Sequence, residues 1–358
     1  MTKNMKNQIG LQITDRRFNY DALRIASTLA VILIHVNWKF FSARSETPST
    51  DIHYIVESII NIITRFSVPC FVMISGAFNL NNKENSHFSD FYRKVSWKIF
   101  IPLFGAGFIS AIIEILLYKR NVLQLIRSTI IGVGVISWFM YMLAGIYILT
   151  PFIIRLKSVI NDKVYISLAF LMTVWATGSQ AISSQKTPYA IGVVFAYLSY
   201  YLMGDVILNF IHLKCKSIVY FLVAISMFFL SFIARYVGVT YYLSNPYTNF
   251  FSPFIVIASL CIFAGVKVID IKWNLTWLSK KTFYIFIFHS IINDVLFDIS
   301  NSLFGNTFEF VQLLIITVVT FMISLAIAIV YDIFWSRRNA WKEKWYALGL
   351  WKKLNSWS

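Results

Sequence analysis

The stretch YDALRIASTLAVILIHVNW, residues Tyr20–Trp38, is apolar enough to cross a bilayer, yet it carries Arg24 and His35. The two are eleven positions apart, close to three turns of helix, so they share one face about 16 Å apart along the axis. An ionisable group inside a membrane costs about 2.5–3.5 kcal/mol on insertion scales, so each needs a reason. Arg24, near one end, has a bland reading as a side chain that snorkels to the headgroups. His35 lies deeper and reads either as a neutral histidine bridging two helices or as a base reached from a cavity.

Composition places the rest of the chain in the same solvent. Of 358 residues, 58% are hydrophobic, 18% aromatic and only 13% charged, and the mean hydropathy is +0.66. Soluble domains carry about a quarter charged residues. Apolar runs long enough to span a core of roughly 30 Å recur ten times, at 21–41, 54–79, 96–118, 136–155, 164–181, 189–210, 217–236, 250–268, 282–299 and 309–332. Backbone in lipid must satisfy its own hydrogen bonds, so the expected fold is all-α, a polytopic bundle of about ten transmembrane helices.

The net charge of +16 follows topology and does not point to nucleic acid. Basic residues gather before the first span and in alternate connections: Arg16 and Arg17, Arg93, Lys94 and Lys98, Lys157 and Lys163, Lys280 and Lys281, and the tail from Arg337. That asymmetry puts both termini in the cytoplasm. Three divisions are expected: a cytoplasmic segment 1–20, a transmembrane domain 21–332, and a basic, Trp-rich tail 333–358. The tail reads as a helix lying on the anionic inner leaflet, with membrane lipids as its partners. Cys70, Cys215 and Cys261 are too few and too scattered for a disulfide framework or a metal cluster, and no Walker or glycine-rich phosphate loop is present. An ATP-driven pump is thereby disfavoured.

Chemistry must then come from polar residues inside the spans. ITRFSVPCFVMISGAF places Arg65 near the middle of the second span, where it faces a polar cavity or an anionic ligand, or else pairs with Glu57 or Glu114. Pro69 is expected to kink that helix. In FYRKVSWKIFIPLF, Arg93, Lys94 and Lys98 form a basic entry to the third span; Lys94 and Lys98 share a face and suit the phosphates of a nucleotide-bearing ligand, although positive-inside charge explains them equally well. His289, about 12 Å beyond Lys281, is a second intramembrane histidine, either functional or structural. The loop RYVGVTYYLSNPYTNFF is tyrosine-rich and reads as an interfacial belt or a sugar-stacking surface.

The order of YDALRIASTLAVILIHV, FSVPCFVMISGAF, RKVSWKIFIP, WFMYMLAGIYILTP, YYLMGDVIL and LSKKTFYIFIFHS, from about Arg17 to Asp332, resembles the acyltransferase-3 family of membrane acyltransferases. The resemblance implies that Arg24 and His35 are the basic residue and essential histidine of the family's first span, that Arg65 is its second-span arginine, and that His289 is its late histidine. Where the family often has two arginines three apart before the third span, this chain has Arg93, Lys94 and Lys98, and a lysine is a point charge without the arginine fork. The chain is similar to the stand-alone type, which binds donor and acceptor in one membrane domain.

The resemblance implies an O-acetyltransferase of the bacterial cytoplasmic membrane, with acetyl-CoA as acyl donor and no metal. Its acceptor would be a hydroxyl of a cell-surface glycan or lipid-linked sugar, and a homodimer is admitted. His35 fits a base for the acceptor hydroxyl, with His289 and Arg65 as further catalytic groups and Arg24, Arg93, Lys94 and Lys98 holding the donor. Direct attack and a transient acyl-histidine both fit. The competing class is a proton-coupled transporter or flippase that binds an anionic substrate at Arg65 and relays protons through His35.

Overall fold

The computed structural model describes residues 2–41, 51–97, 138–182, 189–237, 249–305, 307 and 309–347, with scattered positions between 101 and 123. Every regular element among them is helical. The order is α1 (Thr2–Phe41), α2 (Ile52–Thr64), α3 (Ser67–Asn79), a 3-10 turn (Lys83–Ser86), α4 (Phe88–Val95), α5 (Trp138–Val159), α6 (Asp162–Ile182) and α7 (Tyr189–Asn209). There follow α8 (Ser217–Tyr236), α9 (Pro253–Val268), α10 (Thr276–Ser279), α11 (Thr282–Phe304) and α12 (Glu309–Ala347).

Seven helical stretches among the described residues are long and apolar enough to cross a membrane: Phe18–Phe40, Ile52–Asn79, Trp138–Val159, Gly192–Asn209, Ser217–Tyr236, Thr282–Phe304 and Glu309–Ile333. Each coincides with an expected span. The expected span at 250–268 is the shorter apolar helix α9, and that at 164–181 is α6, which opens on Asp162 and Lys163. Most of the expected span at 96–118, with Lys98 and Glu114, lies outside the described residues, as does the tail beyond Ala347. The chain is a multi-pass membrane protein of all-helical fold. From Glu309 to Ala347, α12 is one helix of 39 residues, about 58 Å of rise, so it continues well past a 30 Å core.

The second span is interrupted where a kink was expected. Proline has no N–H to offer the carbonyl four residues back, and its ring crowds that carbonyl. For Pro69 that residue is Arg65, and α2 ends there, with Arg65 as its C-cap donating to the Ile62 carbonyl at 3.2 Å. The helix restarts at Ser67, and the Cys70 N–H reaches the Phe66 carbonyl at 2.9 Å. Arg65 therefore sits at a break in the backbone and not within a continuous helix.

Association of helices in lipid rests on close packing and on polar contacts across the seam. Gly76 of α3 and Gly204 of α7 supply the first: a Cβ at Gly76 would stand 1.8 Å from the Tyr201 carbonyl oxygen, and one at Gly204 2.0 Å from that of Met73. Asp205, next in sequence, supplies the second. Fully buried, it pairs with Lys157 of α5 at 2.6 Å, and accepts hydrogen bonds from Tyr165 of α6 at 2.9 Å, Asn81 at 2.9 Å and Asn209 at 2.6 Å. One carboxylate thus ties the end of α3 to α5, α6 and α7. Lys267 of α9 donates to the carbonyls of Ile207 and Ile211, each at 2.8 Å, which closes the exposed end of α7.

Candidate active site

Helices α1 and α11 run side by side in the same direction, because their partners match in order. At one end Asp21 and Arg24 meet Thr276 and Ser279 just before α11; further on His35 meets His289; beyond them Lys39 meets Asp294. Arg24 to His35 is eleven residues and Ser279 to His289 ten, so the two registers agree.

The first rung is built on Asp21. Its buried carboxylate accepts from the Ser279 hydroxyl at 2.6 Å and the Thr276 hydroxyl at 3.0 Å, and pairs with Arg24 at 3.1 Å. Arg24 also reaches the Ser279 hydroxyl at 3.5 Å and lies over the Phe78 ring at 5.3 Å. It is half-buried and engaged with protein groups, so it does not behave as a snorkelling side chain. Nearby, Asn19 accepts from the Ile271 N–H at 2.9 Å and donates to the Ile269 carbonyl, which holds the loop after α9 against α1.

Arg24 and Ser279 stand at the wall of a cavity of about 230 Å³. Hydroxyl groups of Ser75, Tyr147 and Thr282 line it together with Phe71, Phe139, Leu143, Phe283 and Phe286. It is a polar-edged slot with an aromatic floor.

Phe286 connects that floor to the histidines. Its ring lies 4.5 Å from that of Phe139 and 5.3 Å from that of His289, and its carbonyl accepts from His289 Nδ1 at 2.5 Å. The His289 ring is 5.1 Å from that of His35, with 56° between their planes. His289 is 4% exposed and its Nε2 is buried without a hydrogen-bond partner; His35 is exposed. One turn beyond His35, Lys39 pairs with Asp294 at 2.6 Å.

Arg65 is held from outside this seam. Its Nε donates to Asn61 Oδ1 at 2.9 Å and its guanidinium lies over the Phe250 ring at 4.8 Å. Glu57, one turn before Asn61, accepts from Asn61 at 3.0 Å and pairs with Arg235 of α8 at 2.6 Å, both charges being almost fully buried. The alternative pairing of Arg65 with Glu57 is not made: an amide bridge through Asn61 stands between them, and Arg235 takes the carboxylate.

Of the residues named from the sequence, then, His35 and His289 come together, Arg24 lines the adjoining cavity, and Arg65 is held apart by Asn61 and Phe250. Arg93 and Lys94 do not line it. Both are exposed on α4, where Arg93 pairs with Asp90 at 3.0 Å. The helix that carries them is nonetheless close, because Phe91 packs on Tyr147 at 6.3 Å between ring centres. Lys98 and most of the tyrosine-rich loop after α8 lie outside the described residues. Asp21, Ser279, Asn61 and the Glu57–Arg235 pair were missed, although a carboxylate in an apolar run is itself a signal.

The whole of this arrangement falls inside a single match to a known family. The acyltransferase domain of the acyltransferase-3 family covers residues 17–330. Among curated proteins the chain is similar to the probable poly-beta-1,6-N-acetyl-D-glucosamine export proteins of Staphylococcus aureus strains MSSA476, MRSA252 and N315. Each is 24% identical over 285 residues, or 72% of this chain and 78% of the relative. No solved structure matches. A match that runs from the approach to the first span to the end of the last means that the chain belongs to the acyltransferase-3 family.

Proposed function

We propose that the protein is an O-acetyltransferase that moves an acetyl group from acetyl-CoA to a hydroxyl of a cell-surface polysaccharide or its lipid-linked precursor, in the bacterial cytoplasmic membrane. The observation that carries this reading is a histidine pair packed, through Phe286, against the wall of a cavity that Arg24 also lines. Arg24 anchors phosphate or pantetheine oxygens of the donor. The donor's arm lies along α1, whose rise from Arg24 to His35 is about 16 Å.

His35 takes the proton of the acceptor hydroxyl. The oxygen's electron pair forms the new bond to the acyl carbon, the carbon–sulfur bond breaks, and the departing thiolate recovers the proton. Arg65 steadies the oxyanion that forms between these events. General base help of this kind is worth about a hundred- to ten-thousand-fold. Arg93 and Lys94, on the surface helix beside Tyr147, draw the nucleotide end of the donor toward the cavity. The name of the relatives supports an N-acetylglucosamine polymer as the acceptor.

That same name favours a second reading, export of the glycan itself, with Arg65 binding substrate and His35 relaying protons. Acetyl-CoA separates the two. Purified protein is given labelled acetyl-CoA with membranes that hold the glycan, wild type beside His35→Ala. Label in the glycan that disappears with His35→Ala supports transfer; glycan movement with acetyl-CoA untouched supports export and overturns transfer.

A further inference from the structure

The acyltransferase reading gives His35 a task but leaves open what aims its ring. An imidazole base must present a lone pair to the acceptor, and which nitrogen does so is set by what the other nitrogen bonds. His289 carries the information needed. A backbone carbonyl can only accept, so the 2.5 Å contact from His289 Nδ1 to the Phe286 carbonyl puts the hydrogen on Nδ1. In the neutral ring Nε2 must then hold the lone pair. That atom is buried and unpartnered, and the ring of His35 lies 5.1 Å from that of His289 between centres.

Resting on the acyltransferase reading, we propose that His289 is the positioning residue of His35: when the acceptor enters, the Nε2 lone pair of His289 takes the N–H of His35. The other His35 nitrogen then faces the acceptor hydroxyl with its lone pair. The chain of groups is carbonyl of Phe286, His289, His35, acceptor hydroxyl, with one hydrogen in each link. When His35 gains the acceptor's proton, the new positive charge is shared along the link to His289 and returns with the proton to the thiolate. Nothing is oxidised, and the only bonds exchanged are O–H and C–S for C–O and S–H. His289 does for His35 what a carboxylate does in a serine hydrolase triad, without adding a negative charge to a membrane interior.

The two ring nitrogens can be imitated separately. His289→Asn keeps a donor near the Nδ1 position and removes the acceptor at Nε2; His289→Gln puts an amide oxygen within reach of the Nε2 position; His289→Phe keeps the ring and neither nitrogen. Acetyl-CoA turnover by the purified full chain with a glycan acceptor gives kcat and KM for each, with the thermal midpoint in detergent as a check on folding. Expected are kcat losses of roughly a hundredfold or more for Asn and Phe, with KM for acetyl-CoA within about threefold because the donor is held at Arg24, and recovery to within roughly tenfold of wild type for Gln. Asn or Phe variants that keep kcat within threefold, or a Gln variant as slow as Phe, would overturn the positioning role. A folded Asn and Gln pair decides the matter even if Phe does not fold. If the wild type consumes no acetyl-CoA, the acyltransferase reading falls and takes the inference with it; if His35→Ala turns over normally, the base role of His35 falls and the inference with it, while transfer stands; inactive His35→Ala beside active His289→Asn rejects the inference alone.

Discussion

Replacing Arg24 with Gln separates donor binding from architecture, because the structure shows what would be left behind. Arg24 touches Asp21 at 3.1 Å, Ser279 at 3.5 Å and the face of Phe78. After the change Asp21 keeps the hydroxyls of Ser279 at 2.6 Å and Thr276 at 3.0 Å, so its buried carboxylate is not stranded. Arg24 is 32% exposed along its side chain, and ion pairs with such access to solvent contribute about 1 kcal/mol or less. The protein should therefore fold. A charged hydrogen bond to a donor phosphate is worth about 1.5–3 kcal/mol, which weakens acetyl-CoA binding roughly 10- to 150-fold. Since His35 lies about 16 Å further along α1, kcat at saturation should stay within about threefold. The assay is equilibrium binding of labelled acetyl-CoA to the detergent-purified protein, with turnover at saturating donor alongside. Arg24→Lys should fall between the two, a point charge without the fork. Binding unchanged within twofold for Arg24→Gln would mean that Arg24 serves only Asp21, and that the cavity takes its ligand some other way.

Three other substitutions test the frame that positions the site. Asp205→Ala leaves Lys157 with the Asn81 amide oxygen at 3.1 Å and removes an acceptor from Tyr165, Asn81 and Asn209; a loss of about 3 kcal/mol is expected, and an unshifted thermal midpoint would mean that α5, α6 and α7 are held by apolar packing instead. Gly204→Val drives a Cβ into the Met73 carbonyl at 2.0 Å, which should cost more than the usual 1–3 kcal/mol of overpacking and show as loss of the monodisperse peak in size exclusion; a folded, active variant would refute the close approach. Glu57→Gln leaves Arg235 buried without its carboxylate and is expected to cost about 3–5 kcal/mol, whereas the double change Glu57→Gln with Arg235→Met should recover most of it. Failure of the second change to rescue the first would argue that Glu57 has another task.

Some of this was legible in the sequence because lipid makes charge expensive. Arg24, His35 and Arg65 stood out against apolar surroundings, and seven helices lie where hydropathy puts them. Partner choice was not legible. Asp21 finds Ser279 across 258 positions, and Glu57 finds Arg235 across 178; no local period encodes either. Proximity along one helix suggested that Glu57 serves Arg65, two turns on, but Asn61 occupies the turn between and a more distant arginine takes the carboxylate. The effect of Pro69 was read correctly in kind and too mildly in degree, since the freed carbonyl belongs to Arg65 itself and the helix ends there. Asp205 was visible within YYLMGDVIL, but one aspartate in an apolar run does not reveal which four neighbours will surround it.

The pairing of α1 with α11 explains why the polar residues of the first span keep their spacing. A one-turn slip between two helices moves them by about 5.4 Å, which exceeds the 5.1 Å between the histidine rings. Something must forbid that slip, and aliphatic contact in lipid is a poor candidate because neighbouring turns of Leu and Ile offer nearly the same surface. The fixed points are polar. Asp21 with Thr276 and Ser279 pins one end of the seam, and Lys39 with Asp294 at 2.6 Å pins the other, with the Lys39 ammonium also over Phe297 at 5.3 Å. A slip in either direction breaks both ends at once: Asp21 loses the hydroxyls of Thr276 and Ser279 and keeps only Arg24 of its own helix, and Lys39 and Asp294 part. The charged residues at the ends of α1 are therefore a gauge for the histidine pair. The Asp21 carboxylate that fixes the register also holds the Arg24 guanidinium at the cavity wall, so helix register and the lining of the cavity are set by a single group.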